Sequence, residues 1–475
     1  MTGGTAAAAA FPRLVVAGLS GESGKTLVSL SLLLEARNRR TPVRAFKKGP
    51  DYIDAAWLGW AAQSPAHNLD TFLMGFPAAR ESFARHAVSD GLNVIEGNRG
   101  LFDGSDAHGT HSTSELAKAL AAPVILVVDA TKVTRTVSAL VLGCQKLDPK
   151  LHIGGVILNQ VAGRRHESII CQAVEADCGL PVLGTIPRCS THSLLPARHL
   201  GLVTPYEHPS TSDLERDLLA FIDSHLDLDR LSALANSAPP LAPAPPVHSV
   251  ASGPPAAIGY FHDSAFCFYY PENLDALRAA GATLTPVSPL TAAEIPAAVD
   301  AIYIGGGFPE THAARLSRNS GFLASLRERA RQGLPVYAEC GGLMVLSRAI
   351  HWQGSRFPMA GVLPFDVEVL PKPQGHGYVE LITDRPNPFF ATGTRLRGHE
   401  FHYSRIASQG ELPATACAVS RGVGCSSARD AVVVDNVWAA YTHLHALATP
   451  EWASALVRAA TSRQTPKPAL QSVSD

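Results

Sequence analysis

Long hydrophobic runs are missing from this chain of 475 residues. The strongest, Ala119 to Val128, reaches little more than half of the ~18 residues a membrane span needs and stops at Asp129. No membrane association is therefore expected. The basic opening of a secretory leader is also missing: Met1-Thr2-Gly3-Gly4 leads into alanines and then into what reads as a strand. A soluble cytoplasmic chain is the expectation. No CxxC pair occurs among the eight cysteines, at 144, 171, 178, 189, 267, 340, 417 and 425. That excludes zinc-finger and thioredoxin-like readings, and reduced thiols are the default. Neither charge sign is in excess, with 40 Lys and Arg against 41 Asp and Glu. Binding of a polyanion needs clustered positive charge, so no nucleic-acid partner is expected. A small anion held locally is untouched by that argument. Gly and Pro, at 39 and 35, are too few and too aperiodic for a fibrous or wholly disordered chain. No internal repeat is visible.

What is present is a hydrophobic share of 46%, enough for sizeable cores. The segment 236–256 is rich in Ala and Pro and nearly uncharged, the composition of an extended spacer. It separates a first domain, 1–235, from a second, 257–461, with 462–475 as a disordered tail. Both halves alternate short apolar runs with helical patterns, which predicts parallel α/β sheets. Strands are expected at 13–18, 43–46, 92–96, 124–128, 154–158 and 182–183, then at 257–260, 283–287, 301–304 and 335–338. Helices are expected over 25–39, 112–120 and 272–280.

In the first half, RLVVAGLSGESGKT (13–26) runs from a strand through a glycine-rich loop into a helix. Glycines let backbone N–H groups close around phosphates at a helix N-terminus. Gly21, Ser23, Gly24, Lys25 and Thr26 are the expected nucleotide contacts. Lys25 would reach the terminal phosphates and the Thr26 hydroxyl would take Mg²⁺. Gly18 and Gly24 are one residue further apart than in the common phosphate loop. FKKGPDYID (46–54) follows the second strand, where α/β sheets bind ligands. Lys47 is taken as a further nucleotide contact and Asp51 and Asp54 as catalytic carboxylates, although Gly-Pro-Asp is equally turn chemistry. In VIEGNRGLFDG (94–104), Glu96 ends a strand and Asp103 lies in the loop beyond. Carboxylates so placed serve as Mg²⁺ ligands in phosphate-loop proteins, or merely cap a turn. Thr26, Glu96 and Asp51 are the expected metal ligands; Asp129 is a weaker strand-end carboxylate.

In the second half, LPVYAECGGL (334–343) carries an apolar strand into Cys340, then glycines and a helix. Such an elbow exposes a nucleophile, and a helix N-terminus is expected to lower a thiol's pKa. Gly341 N–H is a candidate oxyanion donor, and Gly306 in AIYIGGGFPE (301–310) is the other. His443 and His445 stand about 100 residues on, in YTHLHALATPEW.

These strings, with NLDTFLMG (68–75), STSELAKAL (112–120) and LPARHLGL (195–202), resemble the cobyrinic acid a,c-diamide synthase family. The likeness runs from about Leu14 to about Ala459 and includes AFCFYYPENLDAL, GHGYVE and LRGHEFHYSR. It implies a P-loop, dethiobiotin-synthetase-like parallel-sheet domain followed by a class I glutamine amidotransferase-like α/β domain. By that resemblance Cys340 attacks glutamine and His443 is its base. The ordinary class I pattern has Glu two residues after the histidine, where this chain has His445, so a third member for His443 is left open. The implied partners are ATP, Mg²⁺, glutamine and a tetrapyrrole, and a homodimer is compatible with it.

The implied activity is ATP-dependent amidation of the a- and c-acetates of a corrin-type tetrapyrrole through an acyl phosphate. Ammonia released from glutamine then needs a shielded path between domains. Cobyrinate, hydrogenobyrinate, sirohaem and Ni-sirohydrochlorin all carry such acetates. Asn98-Arg99-Gly100 departs from the Val-Met-Gly of many cobyrinate enzymes and points to a divergent pocket. Arg99 either pairs with a peripheral carboxylate or is solvated. A non-enzymatic partition-type switch is disfavoured, because GLSGES (18–23) lacks the early lysine of such proteins. A stand-alone glutaminase is disfavoured by the intact Lys25, Thr26, Asp51 and Glu96.

Overall fold

Strand β1, Arg13–Gly18, is buried at every position. A strand with no solvent face belongs inside a parallel sheet covered by helices on both sides. The computed structural model describes residues 9–188, 197–198, 201–222, 224–244, 255–407 and 413–462. The chain forms two compact units, divided between residues 246 and 247.

In the first unit β1 is followed by α1 (Lys25–Asn38), β2 (Val43–Lys48), α2 (Tyr52–Ala62), β3 (His67–Leu69), α3 (Thr71–His86) and β4 (Leu92–Glu96). Then come α4 (Thr113–Ala119), β5 (Val124–Asp129), α5 (Thr136–Leu147), β6 (Ile153–Val161), α6 (Arg164–Cys178) and β7 (Val182–Pro187). The sheet order is β3-β2-β4-β1-β5-β6-β7, parallel throughout. The chain reverses direction across the sheet beside β1, so the loops after β1, β2 and β4 gather at one edge, where α/β sheets bind ligands. Residues 237–244 of the Ala/Pro-rich stretch pack onto this unit. Ala9 and Leu241 exchange backbone hydrogen bonds of 2.9 and 3.0 Å, and the buried Arg13 side chain donates to Pro239 O at 2.7 Å. The rest of that stretch, 245–254, and the expected tail from 463 lie outside the described residues, as do 195–196 and 199–200.

The second unit corrects the expectation of a parallel sheet. Its ten strands form a mixed sheet. Ala282–Val287, Ala256–Phe261, Ala301–Ile304, Val336–Glu339 and Val437–Ala440 are parallel neighbours. Arg429–Val434, Thr415–Arg421, Gly375–Thr383, Arg395–His402 and His443–Leu444 continue it antiparallel. Antiparallel strands need only short turns between them, so they lack the helix-punctuated rhythm that marks the other half. Among the described residues no helix is long and apolar enough to cross a membrane.

Candidate functional site

The loop after β1 turns into α1 at Gly24, whose φ of 100° is left-handed. A Cβ there would also collide with the Asn159 side-chain amide, which donates to Ser23 O at 2.9 Å and holds the loop. Only glycine meets both demands. Ser23 is buried, while Gly21 stands exposed with open space around it. Lys25 folds back to donate to Ser20 O at 2.7 Å. Burial, then neighbouring Lys47, lowers its ammonium to about 8 against the pull of Glu96, Asp54 and Asp103.

Register sets the next contact: β2 and β4 pair Lys47 directly with Glu96. Lys47 Nζ donates to Glu96 Oε1 at 2.7 Å, Asp54 Oδ2 at 2.6 Å and Gly97 O at 3.2 Å. Burial alone would lower this ammonium, but Asp54, Glu96 and Asp51 outweigh it and hold it above its ordinary value. Burial raises the Glu96 carboxyl, with Lys47 opposing and Asp54 adding. Asp51 is pushed up to about 7 by burial and then by Asp54. It caps α2, its Oδ1 accepting Asp54 N at 2.8 Å.

The expected acidic residues are thus brought together unequally. Asp51, Asp54 and Glu96 converge around Lys47. Asp103 is exposed and receives Gly100 N at 2.9 Å, tying its own loop. Asp129 is exposed and caps a turn through Thr131 N. Lys47 is a cation already among these carboxylates. Thr26 donates to Glu96 Oε1 at 3.1 Å, and Glu96 Oε2 is buried with no hydrogen-bond partner by geometry among the described residues. A hydroxyl and a carboxylate oxygen side by side are hard donors that fit Mg²⁺. Asp51 fits less well, with one oxygen engaged as a cap.

Two positions went unread in the sequence. Asn68 Nδ2 bridges Gly49 O and Asp51 O, at 2.8 and 3.0 Å, fixing the FKKGPDYID turn. Lys48 is only 4% exposed, yet makes no hydrogen bond or ion pair among the described residues. Burial lowers its ammonium; Asp70 opposes, and Lys47 and Arg99 add. A lysine beside a lysine gives no sequence signal for which one lacks a partner.

In the second unit Cys340 stands at the end of Val336–Glu339 with φ 48° and ψ −99°, ahead of a short helix, Gly341–Leu346. Its N–H donates to Ala440 O at 2.7 Å. The strained backbone is the expected elbow. The expected lowering of its thiol is overturned. Burial pushes the thiol well up and Glu310 adds, against the Gly341 N–H, with Glu339 and Asp430 adding further. A six-residue helix offers too little dipole to offset that burial. A Cβ on Gly306 would lie 2.6 Å from His443 Cε1, and one on Gly341 would lie 3.2 Å from Gly307 N. The two glycine loops, the elbow and His443 therefore meet. His399, opposite His443 in register, stacks on it at 4.9 Å. Asn273 pins the segment beyond His443 through Leu444 O at 2.9 Å and Ala446 N at 2.7 Å.

Comparison with known proteins places each half. Residues 14–203 match the CobQ/CobB/MinD/ParA nucleotide binding domain, and 257–451 match the CobB/CobQ-like glutamine amidotransferase domain. The chain is 43% identical over 454 residues to the cobyrinate a,c-diamide synthase of Magnetococcus marinus, covering 94% of this chain and 97% of that one. The chain belongs to the cobyrinate a,c-diamide synthase family. The Syntrophotalea carbinolica member is 40% identical over 450 residues, 94% of this chain and 98% of that one. The Archaeoglobus fulgidus member is 37% identical over 462 residues, 96% and 98%. As a cobyrinate a,c-diamide synthase family enzyme the chain is a glutamine-hydrolysing carbon–nitrogen ligase with a nucleotide-binding half.

Proposed function

We propose that this enzyme converts the a- and c-acetate carboxylates of cobyrinate to amides, using ATP and glutamine. The observation that carries the reading is the site around Lys47. Next to the phosphate loop, a buried cation gathers Asp54 and Glu96, and Thr26 touches the same Glu96 oxygen. That site suits phosphoryl transfer to a carboxylate. The name of the Magnetococcus marinus relative supports the choice of acceptor.

A carboxylate is a poor acceptor for ammonia, because its leaving group would be oxide. An acetate oxygen therefore attacks the γ-phosphorus, and ADP departs with the electron pair of the broken P–O bond. Ammonia next attacks the acyl carbon and phosphate leaves. Lys25 would hold the charge of the transferring group. Thr26 and Glu96 would hold Mg²⁺, which when bound supplies positive charge to the phosphates. Asp51 and Asp54, at the head of α2, would orient the acetate. Lys48, a buried ammonium with no anion in contact, suits a second carboxylate of the macrocycle. In the other half, the Cys340 sulfur attacks the glutamine amide carbon with His443 taking its proton. Gly306 and Gly341 N–H groups would hold the oxyanion. Water then releases glutamate from the thioester.

Product mass spectrometry tests the acceptor. Full-length enzyme receives ATP, Mg²⁺ and glutamine with cobyrinate, hydrogenobyrinate, sirohaem or Ni-sirohydrochlorin. Two hydroxyl-to-amino replacements on cobyrinate are expected. Amidation of sirohaem or Ni-sirohydrochlorin with cobyrinate untouched would overturn the choice of acceptor.

A further inference from the structure

The residue two places after His443, where class I enzymes carry an orienting glutamate, is His445. It faces elsewhere: its Nδ1 receives Leu447 N at 3.1 Å, its Nε2 is 3.7 Å from Glu272 Oε2, and its ring packs on Tyr270 at 4.5 Å. His443 has a different carboxylate beside it. Glu339 Oε2 lies 3.4 Å from His443 Nδ1, and both side chains are sealed from solvent. The carboxylate is fixed from two further directions. Its Oε1 receives Leu444 N at 3.1 Å, from the residue next to His443, and its Oε2 receives the Tyr303 hydroxyl at 3.4 Å. Strand register locks this in, because Glu339 pairs with Ala440, three residues before His443.

We propose that Glu339 is the positioning residue for His443, holding its Nδ1 protonated and stabilising the imidazolium that forms as Cys340 is activated. The proposal rests on Cys340 as nucleophile and His443 as base. A carboxylate against Nδ1 selects the tautomer with the proton there. Nε2 is then left with its lone pair. The same ring edge faces Gly306, where a Cβ would lie 3.4 Å from Nε2. That is the side of the oxyanion loop, so the free nitrogen is on the reacting side. The proton balance follows. The thiol proton moves to Nε2 as the S–C bond forms. It moves on to the departing nitrogen as the C–N bond breaks and ammonia leaves. Through both transfers Glu339 keeps its charge.

The other titratable groups around this pair do not compete for the role. His399 stacks on His443, with Nδ1 3.2 Å from the Tyr270 hydroxyl, and burial, with His443 and His445 adding, keeps it well below the ordinary histidine value. Tyr269, Tyr303 and Tyr337 all lie in the field of Glu339 and, chiefly through burial, stay protonated. Glu310 and Asp430 act on the thiol of Cys340.

The test measures glutamine hydrolysis by the full-length enzyme across the pH range in which an imidazole titrates. Glu339→Gln is expected to lower kcat roughly 10²- to 10⁴-fold with a smaller change in KM, by analogy with loss of the orienting carboxylate in other triads. The acid limb of kcat/KM should move to lower pH, because an anion that favoured the imidazolium is gone. Glu339→Asp should recover part of kcat. Ammonium-supported amidation should survive in both, and thermal melts report that the unit carrying Glu339 is folded. Near-normal kcat with an unmoved acid limb in Glu339→Gln would overturn the proposal. Should Glu339→Gln not fold, Glu339→Asp decides alone: an unshifted pH profile at full kcat overturns it. Cys340→Ala and His443→Ala are run alongside. Glutamine hydrolysis surviving in either would instead overturn the parent reading.

Discussion

Lys47 Nζ and Glu96 Oε1 lie 2.7 Å apart on adjacent strands, and neither residue is more than 2% exposed. A buried pair broken on one side leaves an uncompensated charge, at a cost of about 3 kcal/mol. Asp54 remains on Lys47, so Glu96→Gln should cost that much or less. Amidation should fall about 100-fold, as expected when a group on the transferring phosphate is lost. Lys47→Met combined with Glu96→Gln should regain neither stability nor amidation, because Asp54 then loses its cation too. Thermal melts with separate amidation and glutaminase assays check this. Recovery of amidation in the double variant would make the pair structural only.

Cys340→Ala should lose glutamine-dependent amidation by at least about 10³-fold, the scale seen when a nucleophile is deleted. Amidation with high ammonium should persist, because on the proposed mechanism this thiol acts only on glutamine. Equal loss with both nitrogen sources, in a folded variant, contradicts the division of labour.

Lys25→Ala should do the reverse. Synthesis should fall about 100-fold or more with either nitrogen source, since on the proposed mechanism the lost charge holds the transferring phosphoryl group. Glutamine hydrolysis should continue. Undiminished ammonium-dependent synthesis at saturating ATP would rule out the role.

Lys48→Met separates binding from stability. Removing a buried ammonium that has no partner among the described residues should leave the melting temperature unchanged or raised. The KM for the tetrapyrrole should rise about tenfold or more, the loss expected for one charge-assisted hydrogen bond. The KM for ATP should not follow it. An unchanged tetrapyrrole KM would leave Lys48 without a place in recognition.

Most of the first unit was legible because each strand is a short buried apolar run that ends in a marked loop. Arg13–Gly18 and Leu92–Glu96 fall where the pattern placed them. The three residues His67–Leu69 were too few to show a period. In the second unit, Gly375–Thr383 and Arg395–His402 mix buried and exposed positions and have no helix between them. Their alternation is weak, broken by glycines and by histidines such as His399, which stacks on His443. Glu339 was hidden for a different reason. It lay just past the strand expected over 335–338, and its meeting with His443 depends on pairing across about 100 residues of chain. Adjacency of that kind is a property of register, which periodicity does not encode.

Acid stability offers a check on His399. Burial, with His443 and His445 adding, holds its folded pKa well below the ordinary value of 6.5. The unfolded chain therefore binds a proton first as pH falls. The stabilisation is whole above about 6.5 and drains away below it, toward the lower folded pKa. His399→Gln should lose less stability than the parent between neutral and mildly acid pH, read by urea unfolding at each pH. Parallel losses in the two proteins would place this histidine outside the acid response.

The hydrogen bonds between Ala9 and Leu241 bring the start and the finish of the first unit to one spot. Arg13, reaching Pro239 O, draws the same two segments together. A unit closed in this way has, in effect, a circular chain with one gap. The nucleotide loop and Lys47 lie within that circle rather than at the gap. Where such a chain is cut is then a matter of convenience: bridging residues 9 and 241 and reopening an exposed turn would reorder the polypeptide while leaving its phosphate-handling edge in place.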